Sequence, residues 1–94
     1  MSIEQLQALR ADIDFIDGQW VELLARRFQV TAQVGELKKA HALPAVDPAR
    51  EGEQAARLRA LAGQHGLDEA VVLGIHRVIL DAVVENHRHL ATDR

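Results

Sequence analysis

Ninety-four residues, 48% hydrophobic and 27% charged with both signs interspersed, are enough for one folded domain (residues 1–94) and are not the composition of a disordered chain. The formal net charge of −3 argues against non-specific binding to nucleic acid or to an anionic membrane, so any anion site has to be a local concentration of cations. Cysteine is absent, which removes disulfides, thiolate metal sites and cysteine nucleophiles and is compatible with a reducing compartment. The opening residues Met1-Ser2-Ile3-Glu4-Gln5 lack the basic segment and apolar core of a signal peptide. No apolar run approaches the roughly 20 residues that span a bilayer, and a cytoplasmic protein is expected.

The first predicted element is a helix from about Ile3 to His41. Ser2 is a plausible N-cap, with Gln5 placed to complete a capping box. Steps of three and four along it pick out Leu6, Leu9, Ile13, Ile16, Trp20, Leu23, Arg27, Val30, Val34 and Leu37. Nine of these ten are large and apolar, and the tenth is a guanidinium. A permanent cation on a buried face costs several kcal/mol, on the order of the penalty for any unpaired buried charge, unless an anion meets it. Either a carboxylate of the chain pairs with Arg27, or a polar pocket for an anionic ligand is kept there. Gly18 and Gly35 each cost up to about 1 kcal/mol inside a helix, and Gly35 reads as a site of close helix–helix approach. An unbroken helix of this length measures roughly 57 Å at 1.5 Å per residue, against a radius of gyration near 13 Å for a compact domain of about this size. Such a helix cannot bury its seam in one small globule, which implies a partner, most simply a second copy of the chain.

A loop, Ala42-Leu43-Pro44-Ala45-Val46, leads to Asp47-Pro48, an N-cap followed by proline at the first helical position. The second helix is expected from Pro48 to about Ala62 on a thin apolar face of Ala55, Leu58, Leu61 and Ala62, with Gly63 as C-cap. Asp68 caps a third helix running to about Leu90, with Val72, Ile75, Ile79, Val83 and Asn86 on one stripe. There is no strand signal. The fold class is all-α: a long, a short and a medium helix.

Within this frame the cations sort by geometry. Arg27 and Lys38, eleven residues apart, differ by only about 20° around a helix and by about 16 Å along it, so two long side chains can bracket a ligand of roughly 8–10 Å. Arg10 lies about 25 Å before Arg27 and about 100° around. It cannot easily serve the same pocket from the same chain, but it could serve the pocket of an antiparallel partner. In Asp47-Pro48-Ala49-Arg50-Glu51, Asp47 suits a cap and Glu51 suits the first turn. Arg50 is a cation where the helix dipole disfavours one, as if it meets an anion in a pocket. The histidines give no metal site: His87 and His89 point about 200° apart, and His76 and His87 share a face without a carboxylate at ligand spacing. His87 is the better candidate, as a hydrogen-bond donor lining the pocket. With hydroxyls only at Ser2, Thr31 and Thr92 and no phosphate-binding glycine loop, any chemistry here rests on fixed cations and donors, without metal or cofactor.

These residues, namely Leu9-Arg10 with Ile13 and Asp17, Arg26-Arg27, Val34-Gly35 with Leu37-Lys38, Pro44, Asp47 with Arg50-Glu51, and Gly66-Leu67-Asp68, resemble the all-helical chorismate mutases over nearly the whole chain. The resemblance implies an intertwined helical homodimer with two active sites that rearranges chorismate to prephenate for phenylalanine and tyrosine biosynthesis. It implies that Arg27 and the partner chain's Arg10 bind the two substrate carboxylates, and that Lys38 donates to the ether oxygen. Glu51 would accept from the ring hydroxyl, with Asp47 and Arg50 in the adjacent wall. Where the family often has a glutamine this chain has His87, and where some relatives have serine it has Val83, so the first can still donate one hydrogen bond and the second cannot. A unimolecular, concerted rearrangement of a dianion needs conformational selection and placed positive charge, not a nucleophile or cofactor. Three other readings share part of this pattern: a lyase of the same fold releasing pyruvate from isochorismate, an enzyme acting on aminochorismate, and a helical dimerisation module without catalysis.

Overall fold

A computed structural model describes residues 2–92. The described residues form three α-helices: α1 (Ile3–Ala40), α2 (Pro48–Gln64) and α3 (Glu69–Thr92). Their starts follow local chemistry. At α1 the Ser2 amide donates to Gln5 Oε1 (2.6 Å) and the Gln5 amide donates to Ser2 Oγ (3.1 Å), the reciprocal pair of a capping box. At α2 the Arg50 amide donates to Asp47 Oδ1 (3.1 Å) ahead of Pro48. At α3 the Ala70 amide donates to Asp68 Oδ1 (2.8 Å).

The helix ends follow one motif used twice. After α1, the Leu43 amide donates to the Lys38 carbonyl (2.8 Å) and the Ala42 amide to the Lys39 carbonyl (3.2 Å). After α2, Leu67 donates to Ala62 (2.8 Å) and Gly66 to Gly63 (3.3 Å). Both are Schellman caps, which require a left-handed residue just past the C-cap. Gly66 takes it at φ 67 and Ala42 at φ 53. The C-cap of α2 is therefore His65, with Gly66 beyond it. Gly63, expected as the cap, is inside the helix because the left-handed position falls three residues later.

The chain divides into two compact units, Met1–Thr31 and Ala32–Arg94. The first is the N-terminal part of α1. Its apolar stripe faces outward: Ile13 and Ile16 are each 54% exposed, Trp20 52% and Leu23 58%. Arg27 does not share that exposure. It is half-buried along with Leu24, Phe28 and Thr31, whereas Leu23 and Val30 are exposed. Arg27 is thus better covered than its neighbours on the seam, Leu23 and Val30.

In the second unit α2 and α3 pack together. Ala62 and Val83 are its buried apolar residues, joined by buried His76 and His87. The covered stripe of α3 runs through Val72, His76, Ile79, Val83, His87 and Leu90. Ile75 and Asn86, expected on that stripe, are exposed. Each lies one position before a histidine that takes the inward place, so a polarity-based reading of α3 selects the wrong neighbour.

Candidate active site

The candidate residues fall in both units. Arg10, exposed, and Arg27, half-buried, belong to the first. Lys38, Asp47, Arg50, Glu51, Val83 and His87 belong to the second.

In the second unit Lys38 is half-buried on the last full turn of α1, and its Nζ donates to the Ala45 carbonyl at 3.0 Å. The left-handed turn at Ala42 makes this possible by sending the chain back past the helix end. Lys38 is therefore held twice, by its own carbonyl in the Schellman cap and by its ammonium on the loop. One turn earlier, Gly35 is the buried residue of α1. His87 comes to it from α3: a β-carbon placed on Gly35 would stand 2.7 Å from His87 Cδ2 and 3.1 Å from Nε2. The imidazole is 5% exposed, its Nδ1 is shielded from solvent, and Val83 lies one turn before it on the same face. Lys38 is thus turned onto the loop at Ala45, while His87 rests against α1 at Gly35.

The start of α2 is used otherwise. Asp47 accepts the Arg50 amide as a cap. The Arg50 guanidinium turns to Glu53 at 3.3 Å, with both side chains well exposed, so the cation is satisfied along its own helix and does not reach into a pocket. Glu51 is half-buried and lines an open groove of about 400 Å³ between α2 and α3 with Val46, Leu80, Val84 and Arg77. Arg77 in turn pairs with Asp81 at 3.6 Å. Val46, Leu80 and Val84 were not singled out in the sequence. Their signal was their register: Leu80 and Val84 flank Val83 on the side of α3 that faces α2.

Among the described residues no group of three or more histidine or carboxylate side chains is placed to hold a metal ion, and no helix is long and apolar enough to cross a membrane. The described residues define the class as far as the fold goes: an all-helical protein of three helices. Residues 9–88 match the family described as chorismate mutase type II, and the chain belongs to that family. It is 30% identical to a 4-amino-4-deoxychorismate mutase of Streptomyces venezuelae, over 96% of this chain and 94% of that protein. It is 33% identical to a chorismate mutase of Methanocaldococcus jannaschii, over 84% of this chain and 80% of that protein. It is also 34% identical to a T-protein of Enterobacter agglomerans, over 87% of this chain but only 20% of that protein.

Proposed function

We propose that this protein is a chorismate mutase, acting in the cytoplasm as a homodimer that converts chorismate to prephenate. The observation that carries this reading is the extent of the family match: residues 9–88 enclose every candidate side chain from Arg10 to His87. The exposed apolar stripe of α1 supports the dimer, because an isolated helix with such a stripe is stable in water only when packed.

In this reading Arg27 and the partner chain's Arg10 each grip a substrate carboxylate in the two-point manner a guanidinium allows. The grip selects the compact conformer in which the two ends of the rearranging system approach. As the C–O bond breaks, negative charge grows on the ether oxygen. Lys38 Nζ and the His87 ring N–H donate to it, and these bonds strengthen in the transition state more than in the ground state. Glu51 accepts from the hydroxyl of the ring. Asp47 and Arg50 complete the wall, with Arg50 leaving Glu53 when the anion arrives, and Val83 supplies an apolar surface.

Purified protein incubated with chorismate should consume it and yield prephenate. Arg27→Ala should keep the helical content and lose at least about a hundredfold in turnover, as for removal of one preorganised charge contact. No turnover of chorismate, isochorismate or 4-amino-4-deoxychorismate would sink the enzyme reading. The resemblance to the Streptomyces venezuelae protein over almost its full length favours 4-amino-4-deoxychorismate as the second substrate to test. A higher kcat/KM for the amine than for chorismate would reassign the reaction within the same fold and site.

A further inference from the structure

Glycine is the poorest ordinary helix former after proline, weaker than alanine by about 1 kcal/mol. Gly18, Gly52, Gly63 and Gly74 have nothing within 4 Å of where a side chain would begin. Gly35 differs: a β-carbon there would meet His87 Cδ2 at 2.7 Å, His87 Nε2 at 3.1 Å and Leu90 Cδ2 at 3.2 Å. The first of these is shorter than real carbon contacts, so an alanine would force the ring to move.

We infer that Gly35 is a positioning residue for His87: the missing side chain lets the Cδ2–Nε2 edge of the imidazole rest against the backbone of α1, one turn before Lys38. The inference rests on the proposed roles of Lys38 and His87 in the mutase reaction. The edge that touches α1 carries Nε2, while Nδ1 lies shielded from solvent. Gly35 therefore fixes how deep Nε2 sits relative to Lys38, whose own ammonium is fixed by Ala45. Leu90 Cδ2 comes to the same point of α1 from the next turn of α3. Two donors that act on one oxygen have to be held to a fraction of an ångström, since a displacement of about 1 Å can cost on the order of a hundredfold in rate. A methyl group at residue 35 is a displacement of that size.

The test is a double-mutant cycle with Gly35→Ala, His87→Ala and both, read as kcat and KM for chorismate alongside NMR of the histidine rings and circular dichroism. Gly35→Ala should keep its helicity, shift the His87 ring resonances and lower kcat by about ten- to a hundredfold, with KM changed by less than about threefold. In the His87→Ala background the same change should lower kcat by less than about twofold, because a residue that acts through another has nothing left to act on. An equal loss in both backgrounds overturns the inference, as does Gly35→Ala with unmoved ring resonances. If Gly35→Ala does not fold, Leu90→Ala loosens the same meeting of α3 with α1 at Gly35 without inserting an atom. It should show the same non-additivity with His87→Ala, and additive losses overturn the inference. Wild-type protein inactive on chorismate would defeat the mutase reading alone: the ring resonances still decide whether Gly35 sets the place of His87.

Discussion

Ala42 holds a backbone conformation that the chain gives elsewhere to Gly66. At φ 53 its β-carbon crowds the following carbonyl, at a cost of roughly 1–2 kcal/mol for an L-residue. Glycine there removes the crowding but adds freedom to the unfolded chain worth about 0.4–1 kcal/mol. Ala42→Gly should therefore stabilise the protein by about 0.5–1 kcal/mol, seen as a melting temperature higher by a few degrees with turnover unchanged. His87 makes a different residue-scale prediction. His87→Gln should keep kcat within about tenfold of wild type, as a conservative exchange of one donor for another. A loss in His87→Gln as large as in His87→Ala would show that His87 does not act by donating to the reacting oxygen.

At the scale of elements, helix starts were legible to the residue and helix ends to within about two residues. Ser2 with Gln5, Asp47 with Pro48, and Asp68 carry their capping chemistry in side chains, which a sequence displays. The Schellman turns are made by backbone groups, and only one of the two has a glycine at the decisive position, so α2 runs past Gly63 and α1 turns at an alanine. The stripe read on α3 erred at Ile75 and Asn86 for a related reason. His76 and His87 read as polar and the neighbouring Ile75 as apolar, yet burial follows the register of the helix and not the polarity of each residue. Arg50 pairs with Glu53, an anion three residues later on its own helix that the sequence also offered. The cap at Asp68 also gives a clean prediction, since it lies away from the candidate site residues. Asp68→Ala should destabilise the protein by about 1 kcal/mol in urea unfolding and leave kcat/KM unchanged.

For the whole molecule, the exposed seam of α1 weighs most. Nine apolar side chains there, half of each removed from water by a partner, amount to on the order of 10 kcal/mol, comparable with the full stability of a small domain. Assembly and folding are then one equilibrium, and the melting temperature should rise with protein concentration. A shared site makes a sharper prediction. Arg10→Ala and Lys38→Ala should each be nearly inactive. Unfolded together and refolded at equal amounts, they should recover about one quarter of wild-type activity: half the dimers are mixed, and one of the two sites in each is whole. No recovery on mixing would place Arg10 outside the partner's site.

The bond from Lys38 to Ala45 has a consequence of its own. An ammonium has three N–H bonds and spins freely about its last carbon–nitrogen axis. At 3.0 Å from the Ala45 carbonyl, one of the three is committed, the spin stops, and the other two point in fixed directions. The torsional entropy of that rotor is lost when the chain folds and not when a ligand arrives. A side chain ordinarily regarded as the most mobile of the cations thereby behaves as an oriented dipole, and the loop after α1 becomes part of the instrument that aims it.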